Sequence, residues 1–159
     1  MLDFSYFFLI GVLYIIFYQD IKNREIHVIL PILIFSLSLV VNYFSIDLNF
    51  NSILYNVAFI LINTIGLILY FSLKAREFTN PIDKSIGLGD LIFLLGITPL
   101  FNFKAFVLFF ILGLIFSLIL YGTTRVFKKT FTIPLAGYLS IFLIINVIIK
   151  NVFNINVPY

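Results

Sequence analysis

The sequence predicts an all-α integral membrane protein, a bundle of about six transmembrane helices. Hydrophobic residues make up 62% of the chain and charged residues 11%, whereas soluble globular domains have about 45–50% apolar and about 25% charged residues. Apolar runs alternate with short polar breaks and lack the two-residue period of barrel strands. Because each helical span needs about 20 residues, the 159 residues are expected to form one transmembrane domain, 1–159, without a soluble domain.

Six apolar runs define the expected helices in chain order. No Lys or Arg precedes the first run, so it lacks the basic start of a cleaved signal peptide and is expected to be retained. Pro31 and Pro134 lie near the starts of the second and sixth runs, and Pro99 lies near the end of the fourth, where proline is tolerated. The expected helices are 4–18, 28–45, 53–73, 87–101, 105–121 and 133–149.

Basic residues are distributed unevenly among the polar breaks. By the positive-inside rule, the odd-numbered breaks are expected to face the cytoplasm and both termini the outer side of the cytoplasmic (inner) membrane. The odd-numbered breaks hold Lys22, Arg24, Lys74, Arg76, Lys84, Arg125, Lys128 and Lys129, whereas Lys104 and Lys150 lie elsewhere.

Composition also restricts the chemistry. The chain has no Cys and one His, which excludes disulfides and a zinc cluster, so a metal would have to rest on carboxylates. The net charge of +3 does not by itself indicate nucleic acid, because the placement of basic residues matters more in a membrane protein. We expect no metal, no cofactor and no nucleic acid, with lipid as the surroundings.

Two of the seven acidic residues lie directly against predicted helices, Asp20 after the first and Asp90 at the start of the fourth. Two complete crossings separate these positions, so both carboxylates are expected on the same side of the membrane. The distribution of basic residues makes this the cytoplasmic side. Carboxylates near the hydrocarbon boundary are costly to desolvate, so their presence requires an explanation.

A pair of carboxylates can hydrolyse an amide bond without a metal. Two carboxylates close together cannot both ionise easily, so the pair can share one proton. The charged member removes a proton from an attacking water, while the protonated member donates to the peptide carbonyl. Gly87 and Gly89 precede Asp90, and glycines let another backbone approach closely, as an extended peptide substrate requires. We therefore predict Asp20 and Asp90 as catalytic, with both glycines shaping the site.

Other roles remain open for the same residues. Asp90 can be the N-cap of the fourth helix, and Asp20 can be an ordinary loop charge beside Lys22 and Arg24. A small proton-coupled transporter would use aspartates as a relay near the midplane, but the apolar runs hold ionisable residues only at their ends. In a non-enzymatic assembly scaffold, replacing the aspartates would leave any processing unchanged.

Three strings of the sequence look like the motifs of one family. They are Asp20-Ile21-Lys22-Asn23-Arg24-Glu25-Ile26, Gly87-Leu88-Gly89-Asp90 and Ile133-Pro134-Leu135-Ala136-Gly137. They resemble motifs of the type IV prepilin peptidases and the archaeal preflagellin peptidases. The first resembles the family's first aspartate motif, the second matches its Gly-x-Gly-Asp signature, and the third resembles the start of its last helix. Both groups are membrane aspartic proteases. Presenilin-like proteases share the second string, but their usual helix count exceeds what this chain supplies.

The resemblance implies cleavage of a short basic leader from a pilin-like or flagellin-like precursor, beside the precursor's membrane-anchored helix. It assigns catalysis to Asp20 and Asp90 and no cofactor. His27 and Ile92 stand where many members have Pro and Lys, which bears on substrate preference. Larger members carry a Cys-bearing zinc domain after the first helix and methylate the new N-terminus. The short first break and the lack of Cys predict a peptidase without either.

The acidic residues in the polar breaks that are expected to face the cytoplasm suggest one further hypothesis. Negative charge there would attract a basic leader, and salt would screen the attraction. Ordinary solvated loop charge is the alternative. The residues concerned are Glu25, Glu77 and Asp83.

Overall fold

The computed structural model describes residues 2–45, 50–75, 87–127 and 133–153. Within these ranges the regular structure is helical and contains no strand, which confirms the predicted all-α bundle. The helices are α1 Leu2–Asn23, α2 Ile29–Ser45, α3 Phe50–Ala75, α4 Leu88–Ile97, α5 Phe103–Phe127 and α6 Leu135–Phe153, with a 3-10 turn at Thr98–Leu100.

Three of the helices are long and apolar enough to cross a membrane, over Phe4–Asn23, Phe50–Lys74 and Phe103–Thr123. At about 1.5 Å per residue, each covers the hydrocarbon core of about 30 Å. The other three helices are apolar but shorter. The protein is therefore a membrane protein, while the direction of its termini stays a prediction. Part of the basic pattern behind that prediction lies outside the described residues, namely Arg76, Lys84, Lys128 and Lys129.

Four helices form the centre of the bundle. Helix α1 packs against α2 and α6, and α4 packs against the same two helices. Leu9, Leu13 and Ile16 of α1 are completely buried, and their spacing of three and four residues places them on one helix face. Helix α5 packs on α6, and α3 contacts α5 and the Thr98–Leu100 turn. This arrangement brings the end of α1 and the starts of α4 and α6 together.

The first helix is longer than the sequence predicts. Helix α1 continues to Asn23 instead of ending at residue 18, so Asp20 lies in its last turn and not in a polar break. A polar residue ends an apolar run in the sequence, but it does not end the helix, because the backbone hydrogen bonds continue past the hydrocarbon core of the membrane. The helix ends where Arg24 takes a φ of 59° and donates its amide to the carbonyl of Asp20 at 3.1 Å, a left-handed C-terminal cap.

The fourth helix is shorter than predicted. It ends at Ile97 and continues into the buried Thr98–Leu100 turn, where the sequence predicts a helix to residue 101. Non-helical backbone inside a membrane protein needs hydrogen-bond donors from elsewhere. The amide of Asn42 donates to the carbonyl of Pro99. The amide of Asn56 donates to the carbonyls of Thr98 at 3.0 Å and Phe101 at 2.8 Å.

Candidate active site

Asp20 lies in the last turn of α1 with only 5% of its surface exposed. Its Oδ2 accepts a hydrogen bond of 2.6 Å from the amide of Gly137 in the first turn of α6. A Cβ added to Gly137 would lie 3.0 Å from that Oδ2 and 3.2 Å from the Cβ of Asp20. The lack of a side chain at Gly137 therefore allows α1 and α6 to meet at the carboxylate.

Asp90 is the third residue of α4, and Gly87 is the N-cap of that helix. The structure thus corrects the alternative in which Asp90 is the N-cap. Its carboxylate accepts a hydrogen bond from the amide of Gly87, as acidic residues at this third position commonly do. Its Oδ1 also accepts a bond of 2.8 Å from the amide of Ala136 in α6. Asp90 is therefore held by two helices.

The two carboxylates converge on consecutive amides, those of Ala136 and Gly137, which we call the α6 amide pair. The first N–H groups of a helix have no intrahelical acceptor, and the helix dipole places partial positive charge at this end. Such an end binds anions readily. Asp20 and Asp90 lie close enough for their charges to interact. The expectation that both carboxylates lie at one end of the bundle is confirmed, and neither lies at mid-helix as a proton relay would require.

The sequence shows the string Ile133 to Gly137 without indicating that it contacts the aspartates. A usable signal was present, because Pro134 followed by the small Ala136 and Gly137 marks a helix start that another group can approach. The contact itself joins residues 117 positions apart and requires the tertiary fold.

The glycines of the second string differ in what they contact. A Cβ at Gly87 would lie 3.0 Å from Oδ2 of Asp90, so this glycine makes room for the carboxylate. A Cβ at Gly89 would lie 3.3 Å from Cδ1 of Ile26. The group that approaches Gly89 closely is thus Ile26 of this same chain, and the contact joins the segment after α1 to the start of α4.

The remaining predicted residues lie around this centre or outside the described ranges. Glu25 is exposed, and Glu77 and Asp83 lie outside the described residues, so the attraction of a basic leader stays a prediction. His27 is exposed, and its amide donates to the side-chain oxygen of Gln19 at 3.2 Å. This bond stabilises the connection between α1 and α2.

The arrangement can support acid–base chemistry on a peptide. The α6 amide pair engages Oδ2 of Asp20 and Oδ1 of Asp90. The positive end of the α6 dipole favours an ionised carboxylate. Because two adjacent negative charges repel each other, one carboxylate can be ionised while the other carries a proton.

Comparison with known protein families gives a match. The family model described as the type IV leader peptidase family matches residues 7–122, a range that includes Asp20 and Asp90. No curated protein matches the chain, and no solved structure matches it.

Proposed function

The chain belongs to the type IV leader peptidase family, and we propose that it is an aspartic endopeptidase with Asp20 and Asp90 as its catalytic pair. The observation that supports this proposal is the convergence of both carboxylates on the α6 amide pair, at 2.6 and 2.8 Å. Two acids from separate helices accept hydrogen bonds there from neighbouring amides of one helix. Asp20 lies at the C-terminal end of its own helix, where the dipole disfavours an anion, so capping of α1 does not explain it. The proposal gives this carboxylate a catalytic role beside its bond to α6.

In the proposed mechanism, one ionised carboxylate takes a proton from a water as the water oxygen attacks the scissile carbonyl carbon. The protonated carboxylate donates to the carbonyl oxygen, so the tetrahedral intermediate forms without a separated charge. A proton then passes from the pair to the leaving nitrogen. As the C–N bond breaks, one hydroxyl of the intermediate returns its proton to the pair, which again holds one proton. The bonds from α6 keep both carboxylates in place during these transfers, which avoids reorganisation in the transition state.

The proposed substrate is a precursor with a short basic leader before an apolar, membrane-anchored helix, as in prepilin-like or preflagellin-like proteins. Cleavage is proposed at the cytoplasmic face of the cytoplasmic membrane. The distribution of Lys22, Arg24 and Lys74 supports this side for the end of α1 by the positive-inside rule. We propose peptidase activity alone, without methylation of the new N-terminus.

The test expresses the full chain in membranes with a candidate precursor and compares wild type with Asp20→Asn and Asp90→Asn. Each exchange removes an ionisable group while keeping its shape, so cleavage should fall by about 10²-fold or more. Asp47→Asn is the control, because Asp47 lies in a loop predicted on the opposite side and outside the described residues. Full cleavage by Asp20→Asn or by Asp90→Asn, or loss of wild-type cleavage on adding a chelator, would refute the mechanism.

A further inference from the structure

Arg24 has an unusual backbone for its residue type. It has a φ of 59° and is the single non-glycine residue with positive φ in the described part of the chain. The residue directly after a helix commonly takes this conformation to cap the last carbonyls, and it is usually glycine. A side chain at that position crowds the backbone. Arg24 thus occupies a position at which glycine would be less strained.

The side chain of Arg24 has a second unfavourable feature. Its Nη1 is buried and has no hydrogen-bond partner, although buried donors are nearly always paired in native proteins. Its charge is close enough to act on the Asp20 carboxylate, yet it forms no ion pair with any described residue. Asp20 is held instead by the amide of Gly137. The guanidinium therefore lies near Asp20, and its Nη1 is a donor without a partner in the protein.

Strained backbone and unpaired polar groups persist where function requires them. Here both occur at one residue, four positions after Asp20. We propose that Arg24 is a substrate-binding residue whose Nη1 donates a hydrogen bond to a backbone carbonyl oxygen of the precursor, next to the bond that is cleaved. The proposal rests on the proposed function and adds a binding contact to it.

The chemistry of the side chain fits this acceptor. A guanidinium is always charged and only donates hydrogen bonds, so its partner must be an oxygen. An extended peptide that reaches Asp20 presents its carbonyl oxygens to neighbouring groups. A bond from a charged donor in a partly buried site is stronger than one between neutral groups, so the contact holds the scissile bond against the catalytic pair.

The experiment compares wild type, Arg24→Gly, Arg24→Lys and Lys22→Gln in detergent, measuring cleavage of a precursor peptide at varied concentration and thermal unfolding. Glycine suits the left-handed position, so Arg24→Gly should unfold at the wild-type temperature or above it. Its KM should nevertheless rise at least tenfold with little change in kcat. Arg24→Lys keeps the charge but not the planar fork and should recover part of the loss. Lys22 is exposed and reaches Tyr18, so Lys22→Gln should cleave as wild type.

Binding is also measured without cleavage, using a labelled precursor peptide and the Asp90→Asn chain with and without Arg24→Gly. Weaker binding by the double variant supports the proposal. If Arg24→Gly binds and cleaves as wild type, or changes only the pH profile of kcat, Arg24 has no substrate contact and this proposal alone is overturned. If the wild-type chain neither binds nor cleaves any precursor, the proposed function fails and this inference fails with it.

Discussion

Replacing Gly137 by alanine should disrupt the candidate active site through one added methyl group. The added Cβ would lie 3.0 Å from Oδ2 of Asp20, 3.2 Å from its Cβ and 3.5 Å from its Cγ. The side chain of Asp20 cannot avoid the methyl by rotation alone, because the Cβ of Asp20 is attached directly to the backbone of α1. Either the ends of α1 and α6 separate, or Asp20 leaves the amide of Gly137.

Both outcomes lower the free energy of unfolding. A hydrogen bond to a charged group contributes about 1.5–3 kcal/mol, and inserting a methyl into a packed contact costs about 1–3 kcal/mol. Alanine recovers up to about 1 kcal/mol through its higher helix propensity. Because the two outcomes are alternatives and the helix propensity of alanine offsets part of either cost, we expect a net loss of about 1–2 kcal/mol. Cleavage should fall by about 10²-fold, because displacement of a reacting group by about 1 Å has effects of that size.

The assay is thermal or denaturant unfolding in detergent together with the cleavage rate of a precursor. Gly11→Ala is the matched control, because Gly11 also lies in a helix of the bundle and a Cβ there meets no atom within 4 Å. The control should be neutral or slightly stabilised in unfolding and should cleave as wild type. A Gly137→Ala chain with wild-type stability and wild-type cleavage would refute the argument that α1 and α6 meet at this glycine.

Two further predictions concern the membrane interior. Gly96→Ala would place a Cβ 2.8 Å from the backbone carbonyl oxygen of Pro31 and should lower the free energy of unfolding by about 1–3 kcal/mol. In the control Gly66→Ala, the added Cβ meets no atom within 4 Å, so the stability should not change. Equal stabilities of the two variants would contradict the close packing of α2 and α4. Asn56→Ala removes the donor to two buried carbonyls around the 3-10 turn and should cost about 1–3 kcal/mol. Asn63→Ala is its control, since that amide donates only within its own helix, and a larger loss there would show that the turn does not depend on the inter-helix bonds.

The number of helices follows from the pattern of apolar runs along the chain, because each long apolar run is more stable as a helix in lipid than in water. The helix ends depend on more than the apolar runs. Asp20 is helical because α1 continues past its apolar residues to the cap at Arg24. The short α4 depends on donors from Asn42 and Asn56, which lie on other helices. A pattern along one segment carries no information about donors that distant segments supply.

The candidate site divides in the same way. The sequence by itself determined that Asp20 and Asp90 lie at one end of the bundle, because an even number of crossings separates them and because membrane helices run from one face to the other. Only the tertiary structure decided that consecutive amides of α6 hold both carboxylates and that Arg24 lies beside Asp20 with a free donor. The physical reason is that a count of crossings fixes which side of the membrane a residue reaches, whereas hydrogen bonds of 2.6 and 2.8 Å depend on how distant helices pack.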